Sequence, residues 1–263
     1  EEYHKKGDGN LYVDTSFHLI ISDPTPQVLG QELPALSKDG YTSFKVFMTY
    51  DDLVLNDKEL LEVFEVAKQQ KTLVMVHAEG YDAIKFLTKY VCSPPPRDTK
   101  SQDAIWSGII DGTFELFSSD HSPFRFKDSK GKDRPGARTS FKWVPNGIPG
   151  VETRLPILFS EGVAKNRISI ERFVELTSTN PAKMYGMYPK KGVIKIGSDA
   201  DLTIWDPNLK KTIRQENLNH GSDYTPYEGL DITGWPLQTW LRGNCIFKDG
   251  SFSTSKNNGE YIN

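Results

Sequence analysis

Three residues whose side chains can bind a metal or move a proton stand in or at the ends of separate predicted strands. Lys45 lies inside the strand SFKVFMTY, His77 closes TLVMVH, and Asp120 closes FELFSSD. The carboxyl ends of parallel barrel strands meet at one rim, so we expect these side chains to share a site. An imidazole, a carboxylate and a lysine at one rim suit a divalent metal, which can lower the pKa of water from about 16 to about 7. The three residues therefore indicate metal-assisted hydrolysis.

Each of these residues also has a simpler interpretation. Lys45 can extend its amine from the strand end to solvent, His77 can be an ordinary packed residue, and Asp120 with His121 can form a local hydrogen-bonded turn. However, an unpaired charge inside a strand that is apolar on both faces costs several kcal/mol to bury. The convergence of all three residues on one rim favours a site.

The elements that must position these residues alternate between strands and helices. Residues 11–22 and 43–50 read as strands, and Asn56 with Glu59 forms a capping box at the start of an amphipathic helix. The segment 72–79 is again a strand that is apolar on both faces. This order predicts the parallel sheet of an α/β fold, either open or closed as a (β/α)₈ barrel.

The second half of the chain changes texture. From Gly192 onward, short alternating strands are separated by glycine, aspartate and proline, which predicts a small β domain. We therefore predict a barrel domain over residues 1–190 and a β-sandwich portion over 191–263. The remaining predicted elements are a helix near 81–88, a proline-rich loop in KYVCSPPPRDTK, a helix at 101–111, a strand at 114–120, a loop at 125–142, and helices at 149–163, at 169–177 and from Asn180 onward.

The loop at 125–142 is rich in basic residues and leaves three interpretations open. It can be a solvated or subunit-contact loop, a flexible lid over a site, or a surface for an anionic polymer. The first of these is the expected one.

Composition excludes several classes of protein. The chain has 263 residues with 37% hydrophobic and 25% charged residues, and it has no apolar run near the ~20 residues that cross a bilayer. The first residues contain no signal-peptide pattern and instead resemble the end of a helix. A net charge of −3 argues against a nucleic-acid surface, and two distant cysteines argue against a disulfide framework. We expect a cytoplasmic protein without a membrane or nucleic-acid partner.

Several longer motifs resemble those of one enzyme family. They are SFKVFMTY, VHAEG, YVCSPPPRD, SSDHSPF, WVPNGIPGVETR, TSTNPAKMYGMYPKKGVIKIGSDADLTIWDP and DYTPYEGLDITGWP. In this order, they are similar to the motifs of the dihydropyrimidinases and hydantoinases, which are cyclic-amide hydrolases of the amidohydrolase superfamily. The resemblance implies a (β/α)₈ metallohydrolase barrel with a small β-sandwich domain and two Zn²⁺ ions per subunit.

The resemblance also implies roles for individual residues. Lys45 matches a lysine that CO₂ converts into a carbamate bridging both metals, His77 matches a histidine ligand, and Asp120 matches an aspartate that binds metal and moves the proton. Tyr50 matches the donor to the developing oxyanion. Ser93 and Asn146 match positions that hold the substrate, largely through backbone groups.

Further implications concern the reaction and the assembly. The implied substrates are dihydrouracil, dihydrothymine or 5-substituted hydantoins, opened to N-carbamoyl amino acids in pyrimidine degradation or related reactions. The implied assembly is a homo-oligomer, a tetramer by resemblance. The alternatives are an allantoinase-like enzyme and a non-catalytic scaffold related to dihydropyrimidinase.

The chain departs from the family pattern in its histidines. It contains no HxH pair, and only about a dozen residues separate VHAEG from SPPPRD, where the family has further barrel segments and another histidine ligand. A barrel that loses strands cannot close with the same shear. We therefore hypothesise that the first strands and a central segment near residues 88 and 89 are missing from this sequence.

Overall fold

A computed structural model describes residues 2–11, 13–48, 53–77, 91–92, 96–135, 137, 143–253 and 258–262. Its helices are α1 (Glu2–Gly7), α2 (Leu33–Lys38), α3 (Asp57–Gln70), α4 (Thr99–Asp111), α5 (Arg154–Leu158), α6 (Ile170–Val174) and α7 (Asn180–Met184). Its strands are β1 (Leu19–Ile20), β2 (Ser43–Phe47), β3 (Leu73–His77), β4 (Leu202–Thr212), β5 (Asp231–Leu241), β6 (Asn244–Lys248) and β7 (Ser251–Phe252). Among the described residues, each helix is too short or too polar to traverse a bilayer.

Strands β1, β2 and β3 form a parallel sheet in that order. Lys45 at the centre of β2 pairs with Ile20 of β1 and Met75 of β3, and Phe47 pairs with His77. Helix α2 precedes β2, and α3 connects β2 to β3. The predicted alternation of strand and helix is confirmed for this part of the chain.

The two faces of β2 have different environments because side chains alternate along a strand. Phe44 and Val46 are fully buried and belong to the hydrophobic core beneath α2 and α3. The other three positions are Ser43, which is buried, and Lys45 and Phe47, which are half-buried. Lys45 therefore lies on the face opposite the helices.

Helix α3 begins at the predicted capping box. The Oδ1 atom of Asn56 accepts a hydrogen bond from the Glu59 backbone N–H at 3.0 Å, and Glu59 accepts one from the Asn56 N–H at 2.8 Å. The buried residues Leu60, Val63 and Ala67 follow at helical spacing and pack in the core that contains Phe44 and Val46. The helix thus fixes β2 from the side opposite Lys45.

The C-terminal part contains an antiparallel sheet in the order β4, β5, β6, β7. Trp205 of β4 stacks on Phe159, the residue that follows α5, with 5.0 Å between ring centroids. Phe173 of α6 meets Trp205 edge-on at 5.6 Å. Gly234 of β5 has φ +94°, and a Cβ there would lie 2.2 Å from the Phe159 ring, so only glycine allows this approach. These contacts attach the sheet to the helices.

The strand predicted at residues 114–120 is wrong. The segment is extended but pairs with no strand among the described residues. Side chains of the following helices instead bind its carbonyl groups: Arg172 donates to Phe114 at 2.7 Å, and Asn180 donates to Glu115 at 2.9 Å. Backbone groups satisfied in this way do not require a neighbouring strand.

The prediction that a separate last helix begins at Asn180 is also wrong. The helical turns run without interruption from Ile170 through residues 175–179 into α7, so Asn180 lies inside a continuous helix. Its side chain is engaged by Glu115 and caps no helix end. The helices predicted at 101–111, 149–163 and 169–177 are confirmed within a few residues.

Two other predicted strand segments are shorter or absent. Among the described residues of the range 11–22, β1 is the one strand, and Thr15 forms an isolated bridge with Tyr261. The apolar segment 193–196, read as a strand, has no strand pairing, and its residues Ile194 and Ile196 are exposed. The helix predicted near 81–88 lies outside the described residues.

Candidate active site

Lys45 has a mixed polar and aromatic environment. Its Nζ atom lies 5.1 Å from the centroid of the Phe47 ring, a cation–π distance. On the same face, the Ser43 hydroxyl is 2.5 Å from His18 Nδ1. Burial, and then the positive charge of Lys45, lower the pKa of His18, so its imidazole is neutral at physiological pH. The face of β2 opposite the helices is therefore polar, as a reactive site requires.

His77 is the last residue of β3, and its backbone is paired with Phe47 of β2. It stands two positions beyond Met75, the partner of Lys45. The Tyr185 hydroxyl lies 3.8 Å from Met75 Sδ, and its ring centroid is 5.7 Å from that of His18. The backbone register thus brings two predicted metal ligands to adjacent strands, beside the end of α7.

Asp120 lies in a tight turn at the end of the extended segment. It has φ +42°, a left-handed conformation that aspartate tolerates, and it is exposed. The next residue, His121, accepts hydrogen bonds at Nδ1 from the backbone N–H groups of Gly150 at 3.0 Å and Val151 at 3.2 Å. His121 therefore supports the loop, and Asp120 remains the available carboxylate.

Burial lowers the pKa of His121, and electrostatic interactions, including that with the Arg154 guanidinium, lower it further. A neutral imidazole is required here, because a protonated Nδ1 could not accept the two backbone hydrogen bonds. His220 is also kept neutral mainly by burial, although Glu152 opposes this effect on its pKa. Both histidines therefore have a structural role, and His121 fixes the turn after Asp120.

Asn146 belongs to a second segment that meets the Asp120 turn. The Ser122 N–H donates to the carbonyl of Ile148 at 3.0 Å, and the Gly147 N–H donates to the carbonyl of Val91 at 3.0 Å. Gly147 has φ +138°, and a Cβ there would lie 2.4 Å from Ser122 Cβ. Three segments are therefore joined by backbone hydrogen bonds: the segment that precedes residue 93, the Asp120 turn and the segment that contains Asn146.

The structure brings only some of the predicted residues together. Asp120 and Asn146 lie on adjoining segments, and Lys45 and His77 lie on adjoining strands. No ion pair within 4.0 Å joins Lys45 to Asp120 in the part of the chain that the structure describes. Tyr50 and Ser93 lie outside the described residues, so their roles stay predictions.

Comparisons with known proteins identify the family. Residues 98–246 match the model of the amidohydrolase family. The whole chain aligns with 74% of a D-hydantoinase from Geobacillus stearothermophilus at 31% identity, and with 75% of a D-phenylhydantoinase from Escherichia coli O1:K1 at 42% identity. The chain belongs to the hydantoinase and dihydropyrimidinase group of the amidohydrolase family.

Solved structures of this family also have the same fold. A D-hydantoinase structure superposes on 99% of the chain with a TM-score of 0.91 at 30% identity, and the chain covers 76% of it. The dihydropyrimidinase from Brevibacillus agri gives the same TM-score at 29% identity, with coverages of 99% and 75%. The predicted α/β barrel with a small β domain is therefore confirmed as the fold class, of which this chain carries a part.

The length of the alignment bears on the missing segments. The alignment with the Geobacillus D-hydantoinase runs over 353 positions, whereas the chain has 263 residues, so about 90 aligned positions of this hydantoinase have no residue here. Unmatched positions in this number are expected if barrel segments are absent from the chain. The gap near residues 88 and 89 lies outside the described residues and stays a prediction, as do the domain bounds 1–190 and 191–263.

An acidic cluster elsewhere has the spacing of metal ligands. Oxygens of Asp14, Asp199 and Asp201 lie within 4.8 Å of one another. The ammonium group of Lys191 stands among them, 2.6 Å from Asp14, 2.9 Å from Asp199 and 2.5 Å from Asp201, and Arg242 also pairs with Asp14. The cationic side chains already occupy the place of an ion. This cluster therefore does not fit a metal and instead links residue 14 to the region before β4.

Replacing Lys191 by methionine is expected to destabilise the fold. The change leaves three carboxylates close together with one guanidinium nearby, and breaking a largely buried pair costs roughly 3 kcal/mol, the lower end of the usual range. Urea unfolding at pH 7.5 measures the loss, and the exposed Lys195→Met variant is the matched control. Equal stability of the two variants would contradict a structural role for the cluster.

Sequence reasoning missed two features of the candidate site. His18, to which it gave no role, lies beside Ser43 on the face of Lys45, and only the tertiary pairing of β1 with β2 reveals this. The basic loop at 125–142 was expected to be a solvated surface, yet its Lys132 is fully buried. The GKD triplet around this lysine gave no signal of burial.

The same loop is fixed to the C-terminal part by Asp223. This carboxylate accepts hydrogen bonds from the backbone N–H groups of Phe126 at 2.6 Å and Lys127 at 3.1 Å. Burial alone would raise the pKa of Asp223, but these hydrogen bonds hold it below its usual value. The beginning of the loop is thus a fixed structure beside the Asp120 turn, and the sequence motif DYTPYEG contributes its anchor.

Proposed function

We propose that this chain represents an enzyme that hydrolyses the cyclic amide bond of 5-substituted hydantoins or 5,6-dihydropyrimidines. The observation that carries the proposal is the 42% identity to a D-phenylhydantoinase along the whole chain. The retained Lys45 on β2, His77 at the end of β3 and Asp120 support it, because each can take part in metal-assisted hydrolysis. The product is an N-carbamoyl amino acid.

The residue types retained in the chain suit a metal site built around Lys45, with Asp120 contributed from another segment. Lys45 is half-buried and makes no ion pair among the described residues. We propose that its amine adds to CO₂ with release of a proton to the solvent, which gives an anionic carbamate. Asp120 offers an exposed carboxylate, and His77 stands at the neighbouring strand end. We propose Lys45, His77 and Asp120 as ligands of two Zn²⁺ ions. Bound Zn²⁺ lowers the pKa of water and polarises the amide carbonyl.

The protein groups then have separate roles in the reaction. Asp120 accepts the proton of the attacking water and delivers it to the ring nitrogen, which must be protonated before the C–N bond breaks. Tyr50 donates a hydrogen bond to the oxygen that gains negative charge. Ser93 and Asn146 hold the opposite edge of the ring. One C–O bond forms, one C–N bond breaks, and Asp120 ends in its starting ionisation state.

Hydrolysis assays on three substrates test the proposal. Phenylhydantoin, dihydrouracil and allantoin are each incubated with the protein, and the N-carbamoyl products are measured. We expect turnover of phenylhydantoin or dihydrouracil above that of allantoin. Allantoin as the best substrate would favour the allantoinase alternative. Ser122 in SSDHSPF resembles the allantoinase pattern slightly.

Metal analysis separates the enzyme from the non-catalytic scaffold. About two zinc ions per subunit support the enzyme, whereas a folded full-length protein without zinc and without turnover would support the scaffold. Light scattering after size exclusion tests the homo-oligomer, for which we propose a tetramer, and cell fractionation tests the proposed cytoplasmic location.

Replacing Tyr50 by phenylalanine is expected to slow turnover by about 10²–10³-fold, the usual effect of losing one oxyanion donor. The zinc content should be unchanged because the phenol is not proposed as a ligand. Steady-state kinetics with phenylhydantoin and metal analysis of the same sample provide the measurement, and Tyr3→Phe at an exposed position is the control. A wild-type rate would remove Tyr50 from the mechanism.

A further inference from the structure

The buried ammonium group of Lys132 joins two segments of the candidate site. Its side chain has 0% exposure, although it belongs to a basic and mostly exposed loop. The Nζ atom donates to the carbonyl of Val91 at 2.6 Å and to the carbonyl of Pro145 at 2.8 Å. Pro145 directly precedes Asn146, and Val91 stands two residues before Ser93.

The backbone on either side of Lys132 is held in place. The Lys132 N–H donates to the carbonyl of Arg125, and the Asp133 N–H donates to that of Phe126, both at 2.9 Å. A Cβ at Gly131 would lie 2.4 Å from the Arg125 carbonyl oxygen, so the turn before Lys132 requires glycine. With Asp223 anchoring Phe126, the loop presents Lys132 from a fixed base.

The chemistry of the amine matches its two acceptors. Burial lowers the pKa of Lys132 to about 8, with an opposing effect from the nearby Cys92. A neutral amine has two N–H donors and a protonated amine has three, so both forms can supply the two carbonyl groups. The contact therefore persists on either side of neutral pH. A hydrophobic residue of the same length would leave two buried carbonyl groups with fewer partners.

We propose that Lys132 is a positioning residue that sets the spacing between the segment before Ser93 and the segment of Asn146. This inference rests on the proposed function, in which these two segments hold the ring edge remote from the scissile bond. The carbonyl of Val91 accepts from both Lys132 Nζ and the Gly147 N–H, so one atom is the junction of both segments. We propose that these contacts bind the substrate and the transition state equally, and the loss of such uniform binding raises KM with little change in kcat.

The test compares Lys132→Met with Lys130→Met, an exposed position in the same loop, in the full chain. The first measurement is hydrogen exchange at the Gly147 amide, which reports on the junction without any substrate. We expect exchange at least about tenfold faster in Lys132→Met and unchanged in Lys130→Met, at equal far-ultraviolet circular dichroism. Unchanged exchange in Lys132→Met would contradict the proposal that Lys132 holds the two segments together, irrespective of the catalytic activity.

The second measurement is steady-state kinetics with phenylhydantoin. We expect Lys132→Met to raise KM by about tenfold with kcat within about threefold of wild type. Faster exchange combined with an unchanged KM would overturn the positioning role while leaving the proposed function intact. A wild-type protein without turnover would contradict the proposed function. The exchange result would still show whether Lys132 holds the two segments together. If Lys132→Met does not fold, Lys132→Gln, which retains two amide donors on a shorter chain, is measured in its place, with the same expected directions.

Discussion

Replacing Lys45 by alanine is expected to remove both zinc binding and hydrolysis, with turnover reduced by at least about 10³-fold. The reason is electrostatic. A carbamate on Lys45 would supply a negative charge between two cations, and alanine supplies neither the charge nor the ligand atoms. Zinc analysis and initial rates with phenylhydantoin measure the two losses together.

A short carboxylic acid provides the sharper part of this experiment. Acetate or propionate can enter the space left by the lysine side chain and replace the carbamate oxygens, so partial recovery of rate and zinc content is expected. Lys68→Ala, an exposed lysine on α3, is the control that should need no additive. Full activity of Lys45→Ala without carboxylic acid would refute the bridging role.

Replacing Asp120 by asparagine is expected to reduce kcat by about 10²–10⁴-fold, the range for a general acid–base group. Asparagine has the size of aspartate and tolerates the same left-handed backbone at φ +42°, so the turn should be preserved. It cannot accept and deliver a proton in the pH range of the reaction. The measurement is kcat as a function of pH for the variant and the wild type.

Asp103→Asn on α4 is the matched control for Asp120→Asn. Asp103 is exposed, and its variant should retain the wild-type rate and profile. If Asp120→Asn kept more than about a tenth of the wild-type kcat with an unchanged pH profile, proton transfer would have to be assigned to another group.

The local elements were predictable from the sequence because their signals are local. The capping box of Asn56 and Glu59 and the stripe of Leu60, Val63 and Ala67 define α3 without knowledge of its neighbours. In the same way, the apolar and β-branched residues of SFKVF predict β2, although the different environments of its two faces emerged only from the structure. The seven motifs, taken in their order along the chain, predicted the family, which the relatives confirm.

Predictions failed where a segment's partners lie far away in sequence. Residues 114–120 have the composition of a strand, but Arg172 and Asn180 bind their carbonyl groups. These partners lie about 60 residues away in sequence, so a local sequence pattern does not reveal the contact. Asn180 was read as a helix cap for the same reason. A polar side chain that can cap a helix can equally bind a distant carbonyl, and only the packing of α6 and α7 decides between them.

The sequence by itself determined which residues can do chemistry, since carboxylate, imidazole and amine groups are fixed by residue type. The tertiary structure decided which of them share an environment. It placed His18 beside Lys45, filled the acidic cluster of Asp14 with Lys191, and buried Lys132 between two carbonyl groups. Burial and charge pairing depend on atoms brought together from distant parts of the chain, so a charged residue in a basic loop could not be recognised as an internal clamp before its neighbours were known.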